Sequence, residues 1–210
     1  MGSSFTKTNN LNSSILIVVD TIKLLELKIY SLRNLLTEVI QHSKDFSDSA
    51  AVITEALKKN KTIFWCGNGG SAAESLHLAA ELIGRFSRNR APLPSVALNA
   101  DIAALTCIAN DFGYSQIFSR QLDGLGKKGD VLIVLSTSGK SENISNALIK
   151  AKELEIKSIA FLGKGGGEAR GLADISFVIN SDETARIQEI HLFLGHLLCE
   201  IVEINLGFSE

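Results

Sequence analysis

The stretch Thr62-Ile63-Phe64-Trp65-Cys66-Gly67-Asn68-Gly69-Gly70-Ser71-Ala72-Ala73-Glu74-Ser75-Leu76-His77-Leu78-Ala79-Ala80-Glu81-Leu82-Ile83-Gly84-Arg85 decides the fold. It opens on a short β-rich run, passes through three glycines and continues as an alanine-rich helical segment. That is the first half of a strand-to-helix crossover unit. The alternation repeats downstream, with β-rich runs at 95–98, 131–135, 158–162 and 175–179. Helical stretches lie near 101–109, 114–125, 141–155, 167–172 and 183–206. Strands separated by right-handed crossovers pair in parallel and cover both sheet faces with helices. The expected fold class is therefore α/β, a doubly wound five-stranded parallel sheet flanked by helices.

Upstream, residues 14–60 carry Ile15, Val18, Ile22, Leu25, Ile29, Leu32, Leu36 and Ile40 at helical spacing, interrupted near 43–49. Two N-terminal helices are predicted. The first is apolar on more than one face (Ile15, Leu16, Val18, Val19, Leu24, Leu25, Leu27), which fits either a partner surface or a helix sandwiched in its own subunit. The polar start, residues 1–14, is expected to be disordered, and 15–210 to form a single domain without repeats or a Pro-rich linker.

The 210 residues include 45% hydrophobic side chains, 21% charged and 17 Gly, the balance of an ordinary globular domain. A net charge of −2 with scattered Lys and Arg argues against nucleic-acid binding by charge. Cys66, Cys107 and Cys199 form no C-x-x-C pair, fit a reducing compartment and are expected as small core residues. The apolar run 15–19 is too short for a signal peptide, and no segment approaches the roughly 18 apolar residues of a membrane span. A cytoplasmic protein that does not engage membranes is expected.

Two loops stand out at strand ends, where a parallel sheet binds its ligands. Cys66-Gly67-Asn68-Gly69-Gly70-Ser71 lets backbone approach an anion, and Ser136-Thr137-Ser138-Gly139-Lys140-Ser141 offers four hydroxyls in a row. If strands one and three are neighbours, the loops meet at the switch point. Either loop alone reads as a turn with a helix cap; two on one sheet edge favour a phosphate site. Gly67, Gly69 and Ala72 also fit G-x-G-x-x-A, but no acidic residue lies in 85–99 to take a ribose, and Val134 stands where a Walker loop needs glycine. The cluster 163–167 reads as a helix-entry loop.

His77, Glu81 and Arg85 recur every four residues and share one helix side, as a salt-bridged surface or a site packed among small residues. His196 lies among large apolar residues on the last helix, a satisfied core histidine or, beside a carboxylate, an acid–base group. Sequence alone does not bring His196 to Glu81.

Together, G-N-G-G-S at 67–71, H-x-x-x-E at 77–81, N-D-F-G at 110–113, S-T-S-G-x-S at 136–141 and R-I-Q-E-x-H-x-x-x-x-H at 186–196 closely resemble the bacterial phosphoheptose isomerases of the sugar-isomerase (SIS) domain superfamily. The resemblance covers roughly residues 15–206. It implies an aldose–ketose isomerase that interconverts sedoheptulose 7-phosphate and D-glycero-D-manno-heptose 7-phosphate, supplying heptose for lipopolysaccharide or capsule. A homotetramer with sites between subunits is implied too. Ser71, Ser136, Thr137, Ser138 and Ser141 would hold the phosphate, with Asn68, Gly69, Gly70, Asn110, Asp111 and Gln188 completing the sugar site. Glu81, also in contact with substrate, and His196 would be the catalytic pair. Zinc, one per subunit, would be held by His77, Glu81, Gln188 and His196. Lys140 stands where relatives often carry Asn, which would add affinity at the phosphate loop, and Ala185 replaces an Asp seen in some. The alternatives are a replication-initiator-binding branch of the superfamily, a sugar-phosphate sensor, and an isomerase of another sugar phosphate. The first lacks residues matching Glu81 and His196, both present here.

Overall fold

The computed structural model describes residues 20–208, so the expectations for 1–14 and for the helical run 15–19 lie outside the described residues. The strands are β1 (Ile63–Gly67), β2 (Ser95–Ala97), β3 (Val131–Ser136), β4 (Lys157–Gly163) and β5 (Ile175–Ile179). All pair in parallel in the order β2-β1-β3-β4-β5. β1 and β3 are thus neighbours, and the strand order reverses between them.

The helices are α1 (Thr21–Glu38), α2 (Ser43–Lys58), α3 (Gly70–Ile83), α4 (Ile102–Phe112), α5 (Ser119–Leu125), α6 (Glu142–Glu153), α7 (Ala169–Leu172) and α8 (Thr184–Asn205). Every residue of β1 and β3 is buried, as in a sheet covered on both faces. Period-two alternation sends Ile63, Trp65, Ile133 and Phe161 to the layer of α2, α3 and α8. Phe64, Cys66, Leu132 and Val134 go to the layer of α5 and α6. The expected doubly wound architecture is present, strand by strand.

Three local expectations are corrected. The break between the first helices falls at a 3-10 turn, Val39–His42, and not at 43–49. Residues 43–49 begin α2: Phe46, Ser49, Ala50 and Ile53 form a buried stripe at helical spacing, while Lys44 and Asp48 pair at 2.5 Å on the solvent face. The segment 114–125 divides into a 3-10 turn, Tyr114–Gln116, and α5. Cys107 is exposed on α4, 3.6 Å from Asp111 Oδ2, while Cys66 and Cys199 are buried as expected.

α1 buries only Leu35 and leaves Ile22, Leu25, Ile29 and Tyr30 more than half exposed, so it is not sandwiched within the single chain. Its link to α8 is polar: Lys28 pairs with Glu183, and Arg186 Nη1 donates to the Lys28 carbonyl at 3.2 Å. Among the described residues, no helix is long and apolar enough to cross a membrane.

Candidate active site

Pairing of β1 with β3 places Gly67 beside Leu135, so the two loops leave adjacent strand ends. Between them is a cavity of about 160 Å³. Asn68, Gly70 and Ser71 come from the first loop and Ser136, Thr137, Ser138 and Ser141 from the second, with Thr184 and Gln188 reaching in from α8. α3, α6 and α8 begin at Gly70, Glu142 and Thr184, so three helix N-termini converge on a space lined with hydroxyls. Unpaired N–H groups at such ends favour an anion.

Close backbone contact fixes the loops. Gly69 and Gly139 have φ of +60° and +61°. A Cβ on Gly139 would lie 1.9 Å from the Gly166 carbonyl oxygen. Ser136 Oγ accepts from Gly139 N at 3.0 Å, and Gly139 O accepts from Ala169 N at 3.1 Å. The glycine cluster 163–167 is therefore more than a helix entry, since it buttresses the hydroxyl loop. On the other side, Asn68 and Asn143 exchange amide hydrogen bonds, both 2.9 Å, and Tyr114 donates its hydroxyl to Asn68 at 2.9 Å. Asn99 holds Gly67 through its N–H (3.2 Å) and carbonyl (2.9 Å). Burial pushes the Glu74 carboxyl up to about 7, against an opposing hydrogen bond from Ser71. Lys140 is exposed and lies outside the cavity wall.

Further along the α3–α8 contact is a second cluster. A Cβ on Gly195 would lie 2.4 Å from Leu78, so the two helices approach as closely as glycine allows. The neighbours of those residues meet: His77 Nε2 is 2.8 Å from His196 Nε2 and 3.3 Å from Glu81 Oε1. Ligating atoms of His77, Glu81 and His196 all lie within 4.8 Å of one another. Two imidazole nitrogens and a carboxylate oxygen suit a divalent ion such as zinc with one position left open. Phe86 stacks on His196, with ring centroids 5.4 Å apart. Burial, with His77 close by, holds the His196 imidazole below the usual histidine range, and Glu81 opposes the shift.

Behind this cluster, the Glu203 carboxylate accepts from Phe86 N, Ser87 N, Arg88 N and Arg90 Nε at 2.8–3.1 Å. Arg90 in turn donates to the carbonyls of Glu81 (2.9 Å) and Leu82 (2.8 Å). The Arg90 and Glu203 side chains are 0% and 1% exposed.

The expected site residues thus fall in three places. The hydroxyl cavity and the His77–Glu81–His196 cluster are two. Ser71 and Glu81 are ten residues apart on α3, about 15 Å of helix rise. Gln188 sits at the cavity: its Nε2 is 2.2 Å from where a Cβ of Gly70 would be, and eight residues separate it from His196. The third is the last turn of α4, where Asn110 and Asp111 are exposed and bonded to each other at 2.7 Å, outside the cavity wall. Arg85, in helical register with His77 and Glu81 on paper, lies exposed beyond the end of α3. Sequence reading missed Thr184, Asn143, Tyr114 and Asn99. Only Thr184 and Asn99 left a signal, as polar residues at an element end facing the switch point.

Residues 29–163 match the SIS domain family. The phosphoheptose isomerase of a Nitratiruptor species is 46% identical, over 79% of this chain and 95% of that protein. This chain belongs to the phosphoheptose isomerases of the SIS domain family. Phosphoheptose isomerase 1 of Campylobacter jejuni is 50% identical over 72% of this chain and 82% of that one. The solved structure of a phosphoheptose isomerase from Francisella tularensis superimposes with a TM-score of 0.84 at 33% identity, covering 89% of this chain and 100% of that one.

Proposed function

We propose that the protein interconverts sedoheptulose 7-phosphate and D-glycero-D-manno-heptose 7-phosphate in the cytoplasm, at the entry to heptose for a bacterial surface polysaccharide. The observation that carries this reading is the pairing of a hydroxyl-lined anion cavity with a carboxylate and an imidazole held within 4.8 Å of each other on the same two helices. Ser71, Ser136, Thr137, Ser138 and Ser141 take the phosphate with backbone N–H groups of the loops. Asn68, Gly69, Gly70 and Gln188 hold the near end of the sugar, and Asn110 and Asp111 its hydroxyls. Holding one end of a flexible chain spares the reacting carbons much of the orientational entropy of the reaction.

The chemistry is a proton transfer with no oxidant. Glu81 removes a proton from C1 of the ketose as the C2 carbonyl oxygen takes one from His196, giving the enediol. His196 then recovers a proton from the C1 hydroxyl, while Glu81 returns its proton to C2, and the aldehyde forms at C1. Phe86 keeps the imidazole plane fixed, and the Arg90 contact to the Glu81 carbonyl fixes the end of α3. Zinc bound by His77, Glu81 and His196 would supply Lewis-acid stabilisation of the negative charge developing on the sugar oxygens. Gln188, drawn into the cavity wall, serves the substrate and would have to leave Gly70 to join that ligand set.

An extended seven-carbon ester spans roughly 10 Å from phosphorus to C1, at about 1.2 Å per bond. Ser71 and Glu81 of one chain are separated by about 15 Å of helix rise. The Glu81 side chain, which leans toward the helix N-terminus, and the hydrogen bond from Ser71 to the phosphoryl group cover the remainder. What supports a homotetramer with sites between copies is the exposed apolar face of α1 and of α4. A sedimentation mass of one copy would overturn the shared site, and a mass of two copies would overturn the tetramer. The function is tested by incubating purified protein with sedoheptulose 7-phosphate in D₂O, with and without chelator. Wild type should exchange the substrate carbon proton and form the aldose, and Glu81→Gln should do neither. Undiminished exchange in Glu81→Gln would remove Glu81 as the base.

A further inference from the structure

The wall of the anion cavity carries no formal charge; its side chains are hydroxyls and amides, with one leucine. A phosphate monoester brings a charge of about −1.5 to −2 at neutral pH. The helix N-termini offset part of it, each worth roughly half a charge.

A full positive charge stands immediately behind one of the wall groups. Lys164, on the loop after β4, places its Nζ 3.1 Å from Thr184 Oγ1. An ammonium group has protons only to give, so Thr184 Oγ1 is the acceptor in this bond. The hydroxyl proton is therefore directed elsewhere. Thr184 forms part of the cavity wall, and among the described residues that proton meets no other acceptor. The adjacent Glu183 does not cancel the charge, because it is paired with Lys28.

The backbone supplies an independent observation. Lys164 has φ of +49°, a left-handed conformation that costs a lysine more than a glycine, although its neighbours 163 and 165 are both glycine. Such a conformation is uncommon for a residue other than glycine.

We propose that Lys164, acting through Thr184, is the counter-charge of the phosphate cavity. The ammonium turns the Thr184 hydroxyl toward the phosphoryl oxygens and makes it a stronger donor. Lys164 is a positioning residue and does not touch the reacting carbons. This inference rests on the reading of the cavity as a phosphate site, and the test separates the two.

Inorganic phosphate binding by calorimetry, and KM and kcat for the sugar phosphate, are measured on the full chain carrying Lys164→Met, Lys164→Gly, Lys164→Arg, Thr184→Val, or Lys164→Met with Thr184→Val. Met and Gly should both weaken phosphate binding and raise KM roughly tenfold, the scale of one charge-assisted hydrogen bond. Loss in Lys164→Gly, which relaxes the backbone, rules out strain as the cause. Because only anchoring is affected, kcat should stay within about twofold. Arg should retain most of the affinity, and the double variant should be no worse than Thr184→Val alone. Raising salt should weaken wild type more than Lys164→Met. Wild-type affinity in both Lys164→Met and Lys164→Gly, while Ser136→Ala/Ser138→Ala loses phosphate, overturns the role of Lys164 and leaves the cavity reading intact. Wild-type affinity in the double serine variant overturns the cavity reading, and the inference with it.

Discussion

Replacing Glu203 by Gln probes how the frame of the acid–base cluster is held. The Glu203 carboxylate takes three backbone N–H groups and the Arg90 guanidinium on two oxygens, with both side chains fully buried. An amide keeps one acceptor oxygen and turns the other position into a donor that faces N–H groups, leaving Arg90 a buried cation without its counter-ion. Breaking one side of a buried pair in this way costs about 3–5 kcal/mol. At about 2–4 °C per kcal/mol for a chain of this length, the melting temperature should fall by roughly 6–20 °C. Burial by itself would raise the Glu203 carboxyl, yet the N–H groups of Ser87, Phe86 and Arg88 and the Arg90 charge outweigh it and hold it below its ordinary range. A carboxyl depressed in the folded state stabilises fully above its unfolded value of about 4.3, and that stabilisation is lost as pH falls through the folded value. Thermal melts of wild type and Glu203→Gln between acid and neutral pH should therefore converge toward the acid end. Melting temperatures within a degree or two of each other at neutral pH would refute the reasoning. Equal melting with lost activity would show instead that the network serves the placement of Phe86 and Glu81 without contributing to stability.

His191, buried on α8 with Nε2 3.2 Å from the Leu162 carbonyl, is held by burial at about 4. Its unfolded value is near 6.5, so below that pH the unfolded chain takes a proton that the folded chain refuses, and stability should decline by about 3 kcal/mol between pH 6.5 and 4. His191→Phe should flatten that part of the denaturation profile, and an unchanged slope would count against it. Two glycines with nearly the same φ should respond differently to alanine. Gly69→Ala meets nothing within 4 Å and should cost only the backbone strain of its φ +60°, ψ −121° conformation, roughly 1–3 kcal/mol. Gly139→Ala would drive a Cβ into the Gly166 carbonyl and should both destabilise the fold further and abolish phosphate binding, as chemical denaturation and calorimetry would show. Equal behaviour of the two variants would mean that the 163–167 loop does not brace the hydroxyl loop.

Much of this molecule was legible in one dimension because its signals are local. Five β-rich runs, each followed by a helical period, fix a parallel α/β sheet, since a strand buried on both faces and a helix with one apolar side have few other ways to pack. Glycines at 67, 69, 70 and 139 and the hydroxyls at 136–141 mark anion loops for the same reason, as they act through backbone conformation within a few residues. The polar run 43–49 misled because solvent-facing helix turns and loops share a composition.

What depended on tertiary structure is everything that joins distant segments. The β1–β3 pairing brought the two loops into one cavity, and Gly195 against Leu78 brought His196 to His77 and Glu81, 119 and 115 residues away along the chain. Glu203 reaching back to 86–90, and Lys164 reaching Thr184, carry no mark in the sequence. Residue type and period report what a segment does with its immediate neighbours. Which long-range contact forms is decided by the packing of the whole core, where a single missing Cβ sets how near two helices come.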